Sequence, residues 1–397
     1  MTALGPGLLV MLADADPGNV VVAAEAGARW GYRLLPLLFL LIPVLYMVQE
    51  LAARLGCVTG RGHGELIRAH FGPVAAWISA AGLTIAAIGS LVTEFTGIAG
   101  VGELYGVPRS LTLPLACATL IAIVSTGSYR RAERIAILIA LFEGAFVIVA
   151  ALAHPDLGAI ARDSLDLPLN NPDFAYLGAA LIGAVFNPWM VFYQQSATVE
   201  KGLDVGDYRA VRWDTAMGAA ITQILTASAL IAIVATIGGT RERVSLGSIG
   251  EISQALTQVL GAGVGQLIFS LGVMGAATVA AIVASLALAW GLGELSGHRR
   301  SLESSPSGAP WFYAVYGTSV LCGAAIVWLA PDLVTLIVAA QALNAFLLPM
   351  VIGFLIALAA QVLPAPYRLE GWRLWLTTGV AVALCAIGLL GALRGVG

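Results

Sequence analysis

Apolar residues dominate the chain in runs of membrane-crossing length, roughly 18 residues or more, and the polar residues gather in the short stretches between them. The runs fall near 7–28, 33–53, 74–104, 110–127 and 132–153, then near 174–197, 213–238, 262–293, 312–330, 332–361 and 372–395. This pattern predicts an all-α polytopic membrane protein with about eleven transmembrane helices. A polar connection, 154–173, rich in Asp, Asn and Pro, separates the first five runs from the rest.

Two polar interruptions stand inside the apolar runs. In the first, Ala13-Asp14-Ala15-Asp16-Pro17-Gly18-Asn19 places two carboxylates at a depth where each costs roughly 2.5 to 3.5 kcal/mol on insertion scales. Pro17 removes a backbone donor and disfavours helical geometry at Asp16, and Gly18 lets the chain turn. A helix broken at mid-membrane is expected, its freed carbonyls becoming cation ligands beside Asp16 and Asn19. In the sixth run Asn187-Pro188 repeats the polar-residue-before-proline arrangement. Five spans separate the two breaks, so the halves enter the membrane from opposite sides. That predicts an inverted 5+5 helix repeat of LeuT-like type: repeat one at about 7–153, repeat two at about 174–361, and a peripheral helix at about 372–395, all in one domain over 1–397.

Composition agrees with a membrane protein. Of 397 residues 59% are apolar and 11% charged, against roughly 25% charged in soluble domains. The net charge of -3 points to neither nucleic acid nor an acidic partner. Lys and Arg concentrate in alternate connections, with Arg54, Arg61, Arg130, Arg131, Lys201, Arg209, Arg212, Arg299, Arg300 and Arg368 on one side. Arg29, Arg33, Arg109, Arg162, Arg241 and Arg243 are on the other. The first side is therefore expected to be cytoplasmic and to hold the N-terminus of a multi-pass cell-membrane protein. The first apolar segment lacks a basic leader, so a cleaved signal peptide is not expected.

The four cysteines are scattered; Cys117, Cys322 and Cys385 sit in apolar runs and read as packing residues. His63, His70, His154 and His298 fall in expected loops and form no ligand cluster. Gly60-Arg61-Gly62-His63-Gly64 follows no strand and lacks Lys-Ser or Lys-Thr, so ATP is not an expected partner. No nucleophile–base arrangement can be placed, so neither an enzyme nor a resident cofactor is expected.

Asp16-Pro17-Gly18-Asn19 resembles the Asp-Pro-Gly-Asn signature of the Nramp family of divalent metal transporters. Leu51-Ala52-Ala53-Arg54-Leu55-Gly56 and Val58-Thr59-Gly60-Arg61-Gly62 are similar to that family's segment at the cytoplasmic end of its second helix. The resemblance implies metal ligands at Asp16, Asn19 and the carbonyl of Ala184, with the carbonyl of Ala13 as a further one. Where typical members read Met-Pro-His, this chain reads Asn187-Pro188-Trp189. An amide oxygen is a hard ligand suited to Mg²⁺, whereas a thioether suits softer transition metals. The departure is similar to the Nramp-related magnesium transporter branch.

Typical members also carry an Asp-x-x-Glu pair on the third helix. Aligning Glu94 with its second acid puts Leu91 at the first, and Trp189 replaces the histidine. The expectation is import of Mg²⁺, and also Mn²⁺, by alternating access without proton coupling. The alternatives are a proton-coupled Mn²⁺/Fe²⁺ importer, a metal-sensing membrane receptor, and, on fold analogy, a sodium-coupled amino-acid carrier. Asp14, as an acid behind the ligands or facing an outer vestibule, is left open; Trp189, Gln194, Gln195, Gln341 and Asn344 are further candidates for the pathway, or for interhelical contacts alone.

Overall fold

The computed structural model describes residues 5–125, 128–237, 249–257, 261–298, 300–302, 304–330 and 333–396. Residues 127, 238 and 332 at expected span ends, and Arg241, Arg243 and Arg299 of the loop charges, lie outside the described residues. Every regular element among the described residues is helical. In order these are α1 (Pro6–Leu12), α2 (Pro17–Trp30), α3 (Leu35–Thr59), α4 (His63–Leu104), α5 (Arg109–Val124), α6 (Tyr129–Ala140), α7 (Ala145–Leu152) and α8 (Leu157–Asp163). There follow α9 (Pro172–Val185), α10 (Pro188–Glu200), α11 (Tyr208–Ile237), α12 (Ile249–Thr257), α13 (Ala262–Ser296), α14 (Pro310–Leu329), α15 (Leu333–Gln361) and α16 (Gly371–Val396).

Nine segments among the described residues are long and apolar enough to cross a membrane. The difference from about eleven has two causes. α2 and α3 run on as one apolar segment of 43 residues, turned at Gly31, whose φ of 62° a side chain would strain. α5 has 16 residues, about 24 Å of helix. The run at 132–153 is itself interrupted: a 3₁₀ turn, Leu141–Gly144, divides α6 from α7. α4 begins before its expected span and bends at Gly72-Pro73, with Gly72 at φ 82°, so His63 and His70 are helical rather than in a loop. Cys117 and Cys385 are buried as expected, but Cys322 is exposed on α14.

The long helices α4, α11, α13 and α15 enclose the two broken ones. α13 packs along α4, and α11 along both α1 and α2. Close approach depends on missing side chains. A Cβ on Gly183 would lie 1.9 Å from the backbone oxygen of Gln341, and one on Gly97 would lie 2.6 Å from the ring of Pro17. At these points α15 meets α9 and α4 meets the first break, as small residues permit in lipid.

The arginine-rich side is stitched together by polar contacts. Asp214 Oδ2 accepts hydrogen bonds from the N–H groups of Gly5, Gly7 and Leu8 at 3.1, 2.8 and 3.1 Å, holding the start of α1. The buried pair Lys201–Glu133 lies beside it at 2.9 Å. Glu294 accepts from Gly64 N–H at 2.9 Å and from Ser196 Oγ at 2.6 Å, and Arg300 bonds Glu65 at 2.7 Å. A Cβ on Gly62 would fall on the Glu294 carboxylate and one on Gly64 would press on Leu295, so these two glycines serve packing, whereas Gly60 ends α3 at φ 62°.

Candidate metal site at the two helix breaks

Each break follows from its proline. Pro17 and Pro188 occupy the first position of α2 and α10, where a missing N–H costs nothing. The carbonyls four residues earlier, those of Ala13 and Ala184, thereby lose the helical donor they would otherwise have. Asp16 caps α2, its Oδ1 accepting from Asn19 N–H at 2.7 Å. Asn187 occupies the corresponding place on α10 without capping it.

The two breaks meet. Asn19 Nδ2 donates to the carbonyl of Asp14 and, at 3.1 Å, to that of Ala184 across the interface. Asn187 Nδ2 donates to Ala184 O at 2.8 Å and to Asp14 Oδ1 at 3.4 Å. From α15, Asn344 Nδ2 donates to Asn187 Oδ1 at 2.5 Å and to Gln341 Oε1 at 2.9 Å. Gln341 also lies where a Cβ on Gly18 would come within 2.1 Å of its Nε2. The fourth contributor is α4: the Glu94 carboxyl is within hydrogen-bonding reach of Asp16, and Oε1 accepts from Thr93 at 3.0 Å and Ser90 at 3.3 Å.

All of these groups are shut off from solvent, with Asp14, Asp16, Asn19, Glu94 and Gln341 at 0% exposure and Asn187 and Asn344 at 2%. Asp14 Oδ2, Asp16 Oδ2 and Asn19 Oδ1 receive no donated hydrogen bond. Buried acceptors in that condition are costly, and a cation satisfies several at once. Among the described residues no three His, Cys, Asp or Glu side chains gather into a metal-binding group. What converges is a mixed set of carboxylate, amide and backbone oxygens, the donor chemistry of hard divalent cations. The Ala184 carbonyl already accepts two amide N–H bonds, so a cation taking it as a ligand displaces one of them.

The remaining sequence candidates separate by place. Asp14 is turned inward, toward Asn187. Trp189 is fully buried just past the second break, its Nε1 without a partner. Gln194 donates to Thr215 at 3.3 Å and its oxygen is unpartnered. Gln195 instead joins the arginine-rich side, bonding Arg61 O at 2.8 Å and His63 Nδ1 at 3.0 Å. The buried acids Glu25, Glu50, Glu133, Glu143, Asp214 and Glu294 escaped the sequence reading, and Glu143 and Asp214 are fully buried. Glu143, in the 3₁₀ turn between α6 and α7, has both carboxyl oxygens unpartnered, and Asp214 anchors α1. An acid inside an apolar run was the signal in both cases, as it was for Asp16.

Paired broken helices enclosed by long ones, with polar backbone exposed only to each other, define a multi-pass membrane protein of the LeuT-like fold. A family model described as natural resistance-associated macrophage protein-like, Nramp, matches residues 7–393. The chain therefore belongs to the Nramp family. A divalent metal cation transporter, MntH, of Yersinia enterocolitica is 28% identical over 295 residues, 72% of this chain and 71% of that protein. Other curated relatives of that name are matched over about two thirds of their own length, one at 66%. Among solved structures, the manganese transporter of Eremococcus coleocola superposes with TM-score 0.78 at 16% identity, covering 97% of this chain and 85% of the other. MhsT in complex with L-phenylalanine gives TM-score 0.66 at 15% identity, covering 98% of both chains.

Proposed function

We propose that this Nramp-family protein imports divalent metal cations by alternating access, preferring Mg²⁺ and also carrying Mn²⁺, without obligatory proton coupling. It does so in the cell membrane, with the N-terminus and the arginine-rich side facing the cytoplasm. The ligand set comprises Asp16, Asn19, Asn187 and the carbonyls of Ala184 and Ala13, drawn from two inverted repeats of five helices. The observation that carries this is the meeting of Asp14–Asn19 with Ala184–Asn187 through two hydrogen bonds, of 3.1 Å from Asn19 to Ala184 and 3.4 Å from Asn187 to Asp14. The ligand atoms of this set are all oxygens, and Asn187, whose Nδ2 faces Asp14 and Ala184, gives its Oδ1 to a cation by turning its amide. Mg²⁺ dehydrates reluctantly and commonly keeps several waters, so amides and carbonyls that bind through water suit it.

Transport without a second ion is energetically sufficient. Two charges moving inward gain about 4.6 kcal/mol per 100 mV of inside-negative potential, more than 10³-fold in accumulation. Trp189 at the position of a titratable histidine, and Leu91 at that of an acid, support the uncoupled form.

Specific observations favour a second reading, proton-coupled Mn²⁺ import. The relatives and the structural neighbour bear the names of divalent metal and manganese transporters, and Glu94 stands against Asp16. Two carboxylates that close repel unless a cation or a proton lies between them. Proteoliposomes separate the two. Potential-driven Mg²⁺ uptake with no change in lumenal pH supports the proposal; metal-dependent acidification with no Mg²⁺ flux overturns it in favour of coupled Mn²⁺ transport.

A further inference from the structure

Away from the helix breaks, a cleft of about 910 Å³ opens on the outer surface between α3 and α16, floored by Ile182 of α9 and closed at one end by the start of α11. Its two ends differ in chemistry. The end on the arginine-rich side is lined by Arg54, Arg212, Arg368 and Arg373, with Glu50 as the acid among the lining residues. Arg54 is committed to that acid, its Nη2 and Nε lying 2.5 and 3.1 Å from the two Glu50 oxygens. Arg212 shares the same acid at a longer 3.9 Å, and among the described residues Arg368 and Arg373 form no ion pair, so one carboxylate faces four guanidinium groups. Arg212, whose side chain is 52% exposed, anchors through Nε to Tyr46 at 3.2 Å. Arg368 anchors through Nε to the Leu363 carbonyl at 3.0 Å, and Arg373 lies over the Trp372 ring at 5.9 Å. Anchoring through Nε leaves the terminal nitrogens of the fork for a phosphate.

The other end is apolar, running between Leu37 and Leu40 of α3 and Leu376 and Ile387 of α16. Leu40, Leu376 and Ile387 are 64%, 56% and 56% exposed. From Arg373 to Ile387 is about 21 Å of helix, deeper than half of a hydrocarbon core of about 30 Å. Trp372, 70% exposed, sits beside Arg373 in the first turn of α16, and tryptophan prefers the headgroup level.

We propose that this cleft binds an anionic phospholipid, its phosphate held by Arg212, Arg368 and Arg373 and one acyl chain laid along α16 toward Ile182. A basic pocket between membrane helices continuous with an apolar groove matches such a lipid in both charge and shape. The surplus positive charge argues against a second copy of the chain seated here. A two-fold contact would bring the same arginines face to face. Ile182 is two residues from Ala184, so the lipid tail touches the helix that carries the second break, and its presence steadies α9 against α16. The inference does not depend on which metal is carried.

Native mass spectrometry of the delipidated full chain, titrated with phosphatidylglycerol and phosphatidylcholine of identical tails, tests it. The expected result is retention of phosphatidylglycerol about ten-fold or more above phosphatidylcholine. In an Arg212→Ala/Arg373→Ala double variant the preference should fall to about two-fold or less while phosphatidylcholine retention stays as it was. Leu376→Trp, which fills the apolar end and keeps every arginine, should also lose the bound lipid. Equal retention of the two lipids by the wild-type chain overturns the proposal whether or not the variants fold. So does a double variant with its preference intact, or a wild-type mass showing a dimer without lipid.

Discussion

The two helix breaks share a sequence device and differ in what they do with it. At the first, Asp16 is an acid and caps its own helix through Asn19 N–H at 2.7 Å; at the second, Asn187 is an amide, leaves α10 uncapped by its side chain, bonds Ala184 of its own break and reaches across to Asp14. The first break also faces a second acid, Glu94, whereas the second faces the amides of Gln341 and Asn344. Acidic side chains thus sit on the α1–α2 and α4 side and amide dipoles on the α9–α10 and α15 side. A divalent cation between them gains full charge pairing from one wall and orientation from the other. The two walls can part without leaving a bare charge on the second, as alternating access requires.

That asymmetry predicts unequal losses. Asp16→Ala removes both the charge and the cap of α2, and metal flux into proteoliposomes should fall about 100-fold or more, since even residues behind metal ligands commonly cost 10- to 100-fold. Asp16→Asn, which can still cap α2, separates the two roles: flux stays lost while thermal stability returns toward wild type. Flux near wild type in either variant would remove Asp16 from the site.

The neutral wall should be more forgiving. Asn187→Ala deletes one proposed uncharged ligand and the partner of Asn344, and metal affinity should weaken about 10-fold by isothermal titration. Asn187→Met offers a thioether in its place, so competition assays should move toward Cd²⁺ and Mn²⁺ over Mg²⁺. An unchanged preference would mean that residue 187 shapes the wall without contacting the metal. Gly183→Ala probes the same wall without touching a ligand. Its Cβ would meet a backbone oxygen at 1.9 Å, which cannot rotate away, so α9 must shift from α15 and folding yield should drop.

What the sequence disclosed follows the same division. Both breaks were legible because proline and an acid or amide inside an apolar run carry their meaning locally. The Asp16–Glu94 meeting, the Asn344–Asn187 bond and the fit of Gln341 over Gly18 were not, because each joins residues tens to hundreds of positions apart and is set by helix packing. The interruption at Leu141–Gly144 had no proline to announce it. His63 and His70, assigned to loops, proved helical because Gly72-Pro73 bends α4 without ending it, whereas His154 and His298 lie outside the helices. Ala184 came from the family resemblance alone, and its carbonyl stands four residues before Pro188.

The smallest effect concerns how the first wall moves. α1 has only seven residues, and three of its leading N–H groups converge on one carboxylate oxygen of Asp214. A helix that short cannot hold its position by its own hydrogen bonds, so Asp214 and the neighbouring Lys201–Glu133 pair fix where it sits on the arginine-rich side. Asp214→Asn keeps the shape and weakens three charge-assisted bonds at once. α1 should then swing away from α11 more often, opening the arginine-rich side. A Met11→Cys reporter, buried against Gly218 in the wild type, should label several-fold faster with a membrane-impermeant maleimide added from that side. Metal affinity at the outward-facing site should change less than labelling does. Equal labelling rates with and without Asp214 would place the hinge of the first wall elsewhere and leave its charge as the sole difference from the second.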